Sequence, residues 1–142
     1  MKDFGECEQI NKNPKIVLSD SGSKNKQSKF RLENQKKAKV KVVRVDDCAI
    51  KQGLRCDYLL ILPNNLEIYV ELKGKNVEHA VKQLESSIKQ LTGSLSAEKL
   101  CFVASTRCPI TSPQIQKLKK SFKRNFNAKL TIKNGEIVYK IS

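Results

Sequence analysis

The spacing of apolar positions changes period along the chain, and each change marks an element. KIVL (15–18) and KFRLEN (29–34) predict short strands, Phe30 and Leu32 sharing one face of the second. VKVVRV (40–45), rich in Val, predicts another, ended by a turn at Asp46-Asp47, and Cys48–Ile50 predicts a further short strand that stops at Gln52-Gly53. Residues 56–75 read CDYLLILPNNLEIYVELKGK, two apolar runs about a Pro-Asn-Asn turn, the pattern of a β-hairpin. From Val77 the period becomes helical: Val77, Ala80, Val81, Leu84, Ile88 and Leu91 form one stripe, with Asn76 as N-cap and Thr92-Gly93 as the stop. LCFVAS (100–105) is continuously apolar, as in a strand covered on both faces. Ser112 as cap and Pro113 at the first position open a second helix with Ile115, Leu118 and Phe122 as its stripe. AKLTIK and EIVYKI, joined by Asn134-Gly135, predict a closing hairpin. Residues 1–14 read as frayed or peripheral and 19–28 as an exposed polar loop. The order predicts a mixed α/β (α+β) domain over residues 29–142. It follows an N-terminal extension and loop (1–28) that adds strands.

Charge adds a partner to this picture. The 142 residues suffice for one domain with a core, and the formal net charge is +14, which favours a polyanion such as nucleic acid or an anionic membrane surface, a basic soluble surface being the plainer reading. From Lys99 to Gly135 there is no Asp or Glu, while Lys99, Arg107, Lys117, Lys119, Lys120, Lys123, Arg124, Lys129 and Lys133 fall in that window. Lys117, Lys119, Lys120, Lys123 and Arg124 lie on the second predicted helix and form the candidate nucleic-acid-binding face; a solvated basic helix is the alternative reading. No apolar run is long enough to span a membrane and the N-terminus has no signal-peptide core. The odd cysteine count without a Cys-x-x-Cys pair predicts reduced thiols in a cytoplasmic protein and no zinc site. With His79 as the lone histidine and no Gly-rich loop, a histidine-based hydrolase or a P-loop has no residues to build on.

The hairpin holds the chemistry. Alternation puts Leu66, Ile68, Val70 and Leu72 on one face, predicted core, and Glu67, Tyr69, Glu71 and Lys73 on the other. A three-residue loop, Pro63 to Asn65, sets Asp57 opposite Glu71; a two-residue Asn64-Asn65 turn turns Asp57 away unless a bulge restores it. Facing carboxylates repel unless a proton or a divalent cation lies between them, and Mg²⁺ takes one or two carboxylates with water and phosphate oxygens. Asp57 and Glu71 are thus candidate ligands for Mg²⁺, which would polarise a phosphate and acidify a water, with Lys73 beside them to position that water or to stabilise developing charge. A surface ion pair of Glu71 with Lys73, and Asp57 as a strand start, is the plainer alternative.

Asp57, thirteen intervening residues and then Glu71-Leu72-Lys73, on a hairpin followed by a helix, resembles the PD-(D/E)xK nuclease superfamily, with type II restriction enzymes and archaeal Holliday junction resolvases among its members. The segment GLRCDYLLI…YVELKG…HAVKQL looks especially like small bacterial members. The resemblance implies a restriction-endonuclease-like mixed sheet flanked by helices, covering roughly residues 40–105. It also implies a Mg²⁺-dependent hydrolase in which Mn²⁺ can substitute, with Asp57 and Glu71 as metal ligands, Lys73 as the catalytic lysine and Gln83 of the following helix near the site. Cys56 stands where many members carry Pro, and the helix that often supplies another acid is not evident; Glu33 or Asp47 is the candidate substitute. The implied function is phosphodiester hydrolysis, in DNA rather than RNA, by an endonuclease. Cutting both strands would call for a homodimer or two encounters. A non-catalytic nucleic-acid-binding module or subunit on the same fold is the alternative.

Overall fold

The structure is a computed structural model that describes residues 3–19, 28–72, 76–105 and 112–141. Its centre is a six-stranded mixed sheet in the order β1-β4-β5-β6-β7-β8, built from Glu8–Asn11, Val40–Arg44, Tyr58–Ile61, Glu67–Leu72, Lys99–Ser105 and Ala128–Asn134. A second sheet of three strands runs β2-β3-β9 (Lys15–Ser19, Lys29–Glu33 and Glu136–Lys140). Two helices, α1 (Val77–Leu91) and α2 (Ser112–Phe126), complete a mixed α+β architecture. From β1 to β6 the large sheet is antiparallel; β6, β7 and β8 are parallel, and the helices supply the crossovers that parallel pairing requires.

The large sheet is the middle layer of three. On one face Leu59, Tyr69 and Val103 pack with Val81, Leu84 and Ile88 of α1 and with Phe122 and Phe126 of α2. On the other, Leu60, Ile68, Val70 and Phe102 pack with Phe30, Leu32 and Ile137 of the small sheet. The Phe30 and Phe102 rings lie 5.1 Å apart, and Phe102 and Tyr139 lie 5.9 Å apart, joining β3 and β9 to β7. β6 is consequently buried on both sides. The alternation identified one core face, but the face of Tyr69 and Glu71 is core too, because α1 covers it.

The α1 stripe is the expected one, with Asn76 Oδ1 accepting from the His79 amide at 3.1 Å as the N-cap. His79 is exposed. The capping of α2 by Ser112 lies outside what is described.

Several expectations are corrected. Asn134-Gly135 turns the chain, with Gly135 at φ +81°, but β8 and β9 do not pair as a hairpin; β9 crosses to the small sheet and lies parallel to β3, Phe30 opposite Ile137. Burial decides this: Ile137 reaches the second core only from there. Cys48–Ile50 is a turn and not a strand. Asp47 adopts φ +59°, and the amides of Cys48 and Ile50 both return to the Val45 carbonyl, at 3.2 and 3.0 Å. From Asp3 on, the first segment is peripheral, at the edge of the large sheet, and not frayed. A 3₁₀ turn (Gly5–Cys7) leads into β1, which pairs against β4, and Phe4 packs on the helix-side core. Residues 1–28, read as an extension, thus contribute one strand to each sheet. Cys7 and Cys48 form a disulfide with Cα atoms 5.7 Å apart, where reduced thiols were expected. Cys56 and Cys101 are buried free thiols, and Cys108 lies outside the described residues.

Lys99, expected on the basic surface, is instead fully buried at the start of β7. Its ammonium donates to the carbonyls of Leu95 (3.0 Å), Ala97 (2.6 Å) and Phe126 (3.1 Å), so one side chain satisfies a loop and the C-terminal turn of α2. Burial pulls its pKa below the ordinary lysine range. Replacing Lys99 with Met leaves three carbonyls without that donor. The expected loss is about 2–3 kcal/mol of unfolding free energy, read by urea denaturation.

Candidate functional site

The register of the central hairpin decides what meets at its end. Tyr58 pairs with Val70, Leu59 with Tyr69, Leu60 with Ile68 and Ile61 with Glu67. Leu62 closes the loop by donating its amide to the Leu66 carbonyl at 3.0 Å, so the loop is the three residues Pro63 to Asn65, with Asn65 at φ +67°. Continued by one pair, this register sets Asp57 against Glu71. The ladder is offset there. The Asp57 amide donates to the Val70 carbonyl at 3.1 Å, the Asp57 carbonyl accepts from Val45 at 3.0 Å and from Asp46 at 3.4 Å, and the Asp57 carboxylate accepts from the Leu72 amide at 2.7 Å.

Glu71 is only 6% exposed, beneath α1, and its Oε1 is buried without a hydrogen-bond partner. Burial above all, then the negative charges of Asp57 and Asp46, push its carboxyl up to about 9. A buried carboxyl with one unpartnered oxygen, acted on by a neighbouring carboxylate, offers oxygen donors of the kind of which Mg²⁺ takes one or two from protein. Among the described residues no three His, Cys, Asp or Glu side chains are grouped as a metal site.

The surroundings fix this pair from behind. α1 presents Gln83 and Ser87, one turn apart, to the strand that carries Asp57. Gln83 Nε2 donates to the Arg55 carbonyl at 2.9 Å, and Ser87 Oγ accepts the Cys56 amide at 2.8 Å. Gln83, expected at the catalytic centre, therefore holds the backbone two residues before Asp57. Cys56 is fully buried between them, and burial raises its thiol well above the usual range. Arg55 Nε lies 2.7 Å from Asp46 Oδ1, and its Nη1 donates to the Gly53 carbonyl at 2.8 Å.

Neither candidate for a further acid, Glu33 or Asp47, joins the pair, and both are placed as the surface charges that were the alternative reading. Glu33 belongs to the small sheet, 3.1 Å from Arg31 Nε, and Asp47 is exposed at the tip of its turn. Asp46 is the acid whose charge reaches Glu71. Lys73 lies outside the described residues. Asp46, Arg55 and Ser87 escaped the sequence reading because a turn and a helix bring them in, and alternation reports on neither.

On α2, Lys117, Lys120, Lys123 and Arg124 are exposed and Lys119 is partly so; Lys123 Nζ donates to Asn127 Oδ1 at 2.9 Å. The C-terminal turn of α2 lies at Lys99, which pairs with Glu67, while Glu71 pairs with Val103. At about 3.3 Å per strand residue the end of α2 lies about 13 Å along the sheet from the carboxylate pair, and α2 packs on β8, two strands and about 10 Å across the sheet from β6.

Comparison with known proteins finds no match: no family model, no curated protein and no solved structure matches the chain. No helix among the described residues is long and apolar enough to cross a membrane.

Proposed function

We propose that this chain is a divalent-metal-dependent nuclease that hydrolyses phosphodiester bonds in nucleic acid, DNA before RNA. The observation that carries the reading is the facing pair Asp57 and Glu71, with one oxygen of the buried Glu71 carboxyl left unpartnered. The resemblance of Asp57, Glu71 and Lys73 to the PD-(D/E)xK pattern points the same way.

In this reading Asp57 and Glu71 hold Mg²⁺ or Mn²⁺. A bound cation would supply Lewis-acid polarisation of the scissile phosphate and acidify an attacking water. The chain's own residues do the rest. The Leu72 amide fixes the Asp57 carboxylate, and Ser87 and Gln83 fix the backbone just before it. The cover of α1 keeps water from Glu71, so the negative charge of the pair acts in a low-dielectric setting. Lys73, two residues beyond Glu71, enters from the sequence as the group that positions water or offsets charge on the phosphate.

The test is cleavage of supercoiled plasmid, single-stranded DNA and RNA with and without Mg²⁺ or Mn²⁺. The expected result is metal-dependent cleavage of DNA by the wild type and none by Asp57→Ala or Lys73→Ala. Binding without cleavage of any substrate by the wild type would favour the nucleic-acid-binding module instead. Equal cleavage by the variants would sink the assigned site.

A further inference from the structure

We infer that the loop Lys51–Arg55 grips the nucleic-acid backbone at the site, Arg55 and Lys51 contacting phosphates next to the bond that is cut. The inference rests on the nuclease reading and moves its substrate grip from α2 to the rim of the carboxylate pair.

The negative charges of Asp57 and Asp46 both act on Glu71 at this end of the sheet. Acids so placed repel a polyanion, so a phosphate approaches only if cations stand beside it. The basic residues of α2, which packs on β8 two strands across the sheet from β6, are placed for a more distant part of the backbone. The loop is contiguous with the site instead. It leaves the Asp46–Ile50 turn, where the Ile50 amide bonds the Val45 carbonyl at 3.0 Å, and it ends two residues before Asp57. Its far end is fastened by the Gln83 and Ser87 bonds. Between these anchors residues 51–54 are exposed, and Gly53, at φ +82°, has open space where a side chain would start.

Arg55 is the cation joined to Asp46. Its bonds to Asp46 and to the Gly53 carbonyl use two of the five N–H donors and lock the plane of the guanidinium. A planar fork held on one side suits bidentate contact with phosphate on the other. Asp46 orients Arg55 in this arrangement and is itself a positioning residue.

The test uses the full chain and a short labelled DNA duplex, with affinity measured by fluorescence anisotropy in EDTA across a range of salt. Arg55→Gln combined with Lys51→Gln is expected to weaken binding and to shrink the slope of log K against log salt by about 1.8, about 0.9 for each phosphate no longer neutralised. Binding of Mn²⁺ by the same variant, measured by calorimetry, should stay at the wild-type level. Lys51→Gln alone, at an exposed position, should shrink the slope by about 0.9 even if the double variant is unstable. An unchanged slope in either variant overturns the inference. So does loss of Mn²⁺ binding together with DNA binding, which would make Arg55 a support of the metal site alone. If the wild type binds Mn²⁺ and cleaves DNA while only Lys123→Gln with Arg124→Gln alters the slope, this inference falls and the nuclease reading stands. If the wild type neither binds Mn²⁺ nor cleaves, the nuclease reading itself falls.

Discussion

Glu71→Gln is expected to abolish metal-dependent cleavage while making the metal-free protein more stable at pH 8. The loss of activity should exceed the about 10- to 100-fold that removal of an outer partner of a metal site costs, because Glu71 is one of two proposed ligands. The gain in stability follows from the same burial. Glu71 carries a pKa raised to about 9 in the folded, metal-free chain, against 4.5 ordinarily. With the folded value the higher of the two, the folded state holds a proton that the unfolded state has released throughout that interval. Stability from this group is therefore full below about pH 4.5 and is lost as pH rises towards about 9. A neutral Gln has no such proton to lose, and its amide can donate to Asp57. The variant should be more stable by about 1–3 kcal/mol at pH 8, with little difference at pH 4. Chemical denaturation at the two pH values, with EDTA present, measures it. Equal stability of the two proteins at pH 8 would show that Glu71 is not buried beside a like charge.

Removal of the Cys7–Cys48 disulfide, by Cys7→Ser with Cys48→Ser, is expected to cost about 4 kcal/mol, the chain-entropy value for a bridge between residues 41 apart. The bridge ties the 3₁₀ turn before β1 to the turn that carries Asp46. β1 is a four-residue edge strand held by β4 and by the Lys41–Glu8 ion pair at 3.2 Å, so it should be the first element to detach. The turn itself keeps its bonds to Arg44 and Val45 and should hold Asp46 in place. The stability loss should therefore be large and the loss of cleavage small. Denaturation midpoints with and without a reductant read the first, and initial cleavage rates below the melting range read the second. A variant as stable as the wild type would mean that the two sulfurs are not bonded in solution.

The parts of this molecule that were legible in the sequence are those set by local periodicity. The stripe from Val77 to Leu91 specified α1 and its buried face, and Asn76 its cap. Alternation left two hairpin registers open, and the three-residue loop closed by Leu62 and Leu66 selects the one whose continuation sets Asp57 against Glu71; one residue of slip would have turned every side chain of the strand over. What stayed hidden depends on distant pairing. Nothing near Glu136 announces that its partner is Lys29 rather than β8, and the Asn134-Gly135 signal reports a turn without naming the strand that follows it. Cys7 and Cys48 carry no spacing signature, since the antiparallel run of β1 on β4 brings them together. Lys99 read as surface because a lysine usually is; three carbonyls at one point reverse that expectation. The same holds at the site. Asp46 rather than Asp47 reaches Glu71 because Asp47 takes the left-handed conformation that turns the chain.

The central claim is that Asp57 and Glu71 together form a divalent-cation site. Calorimetric titration of the metal-free chain with Mn²⁺ at pH 8 tests it most directly. The account predicts saturable binding by the wild type that is lost in both Asp57→Asn and Glu71→Gln, each of which remains folded. Absence of Mn²⁺ binding by the wild type, or undiminished binding by Glu71→Gln, would contradict it.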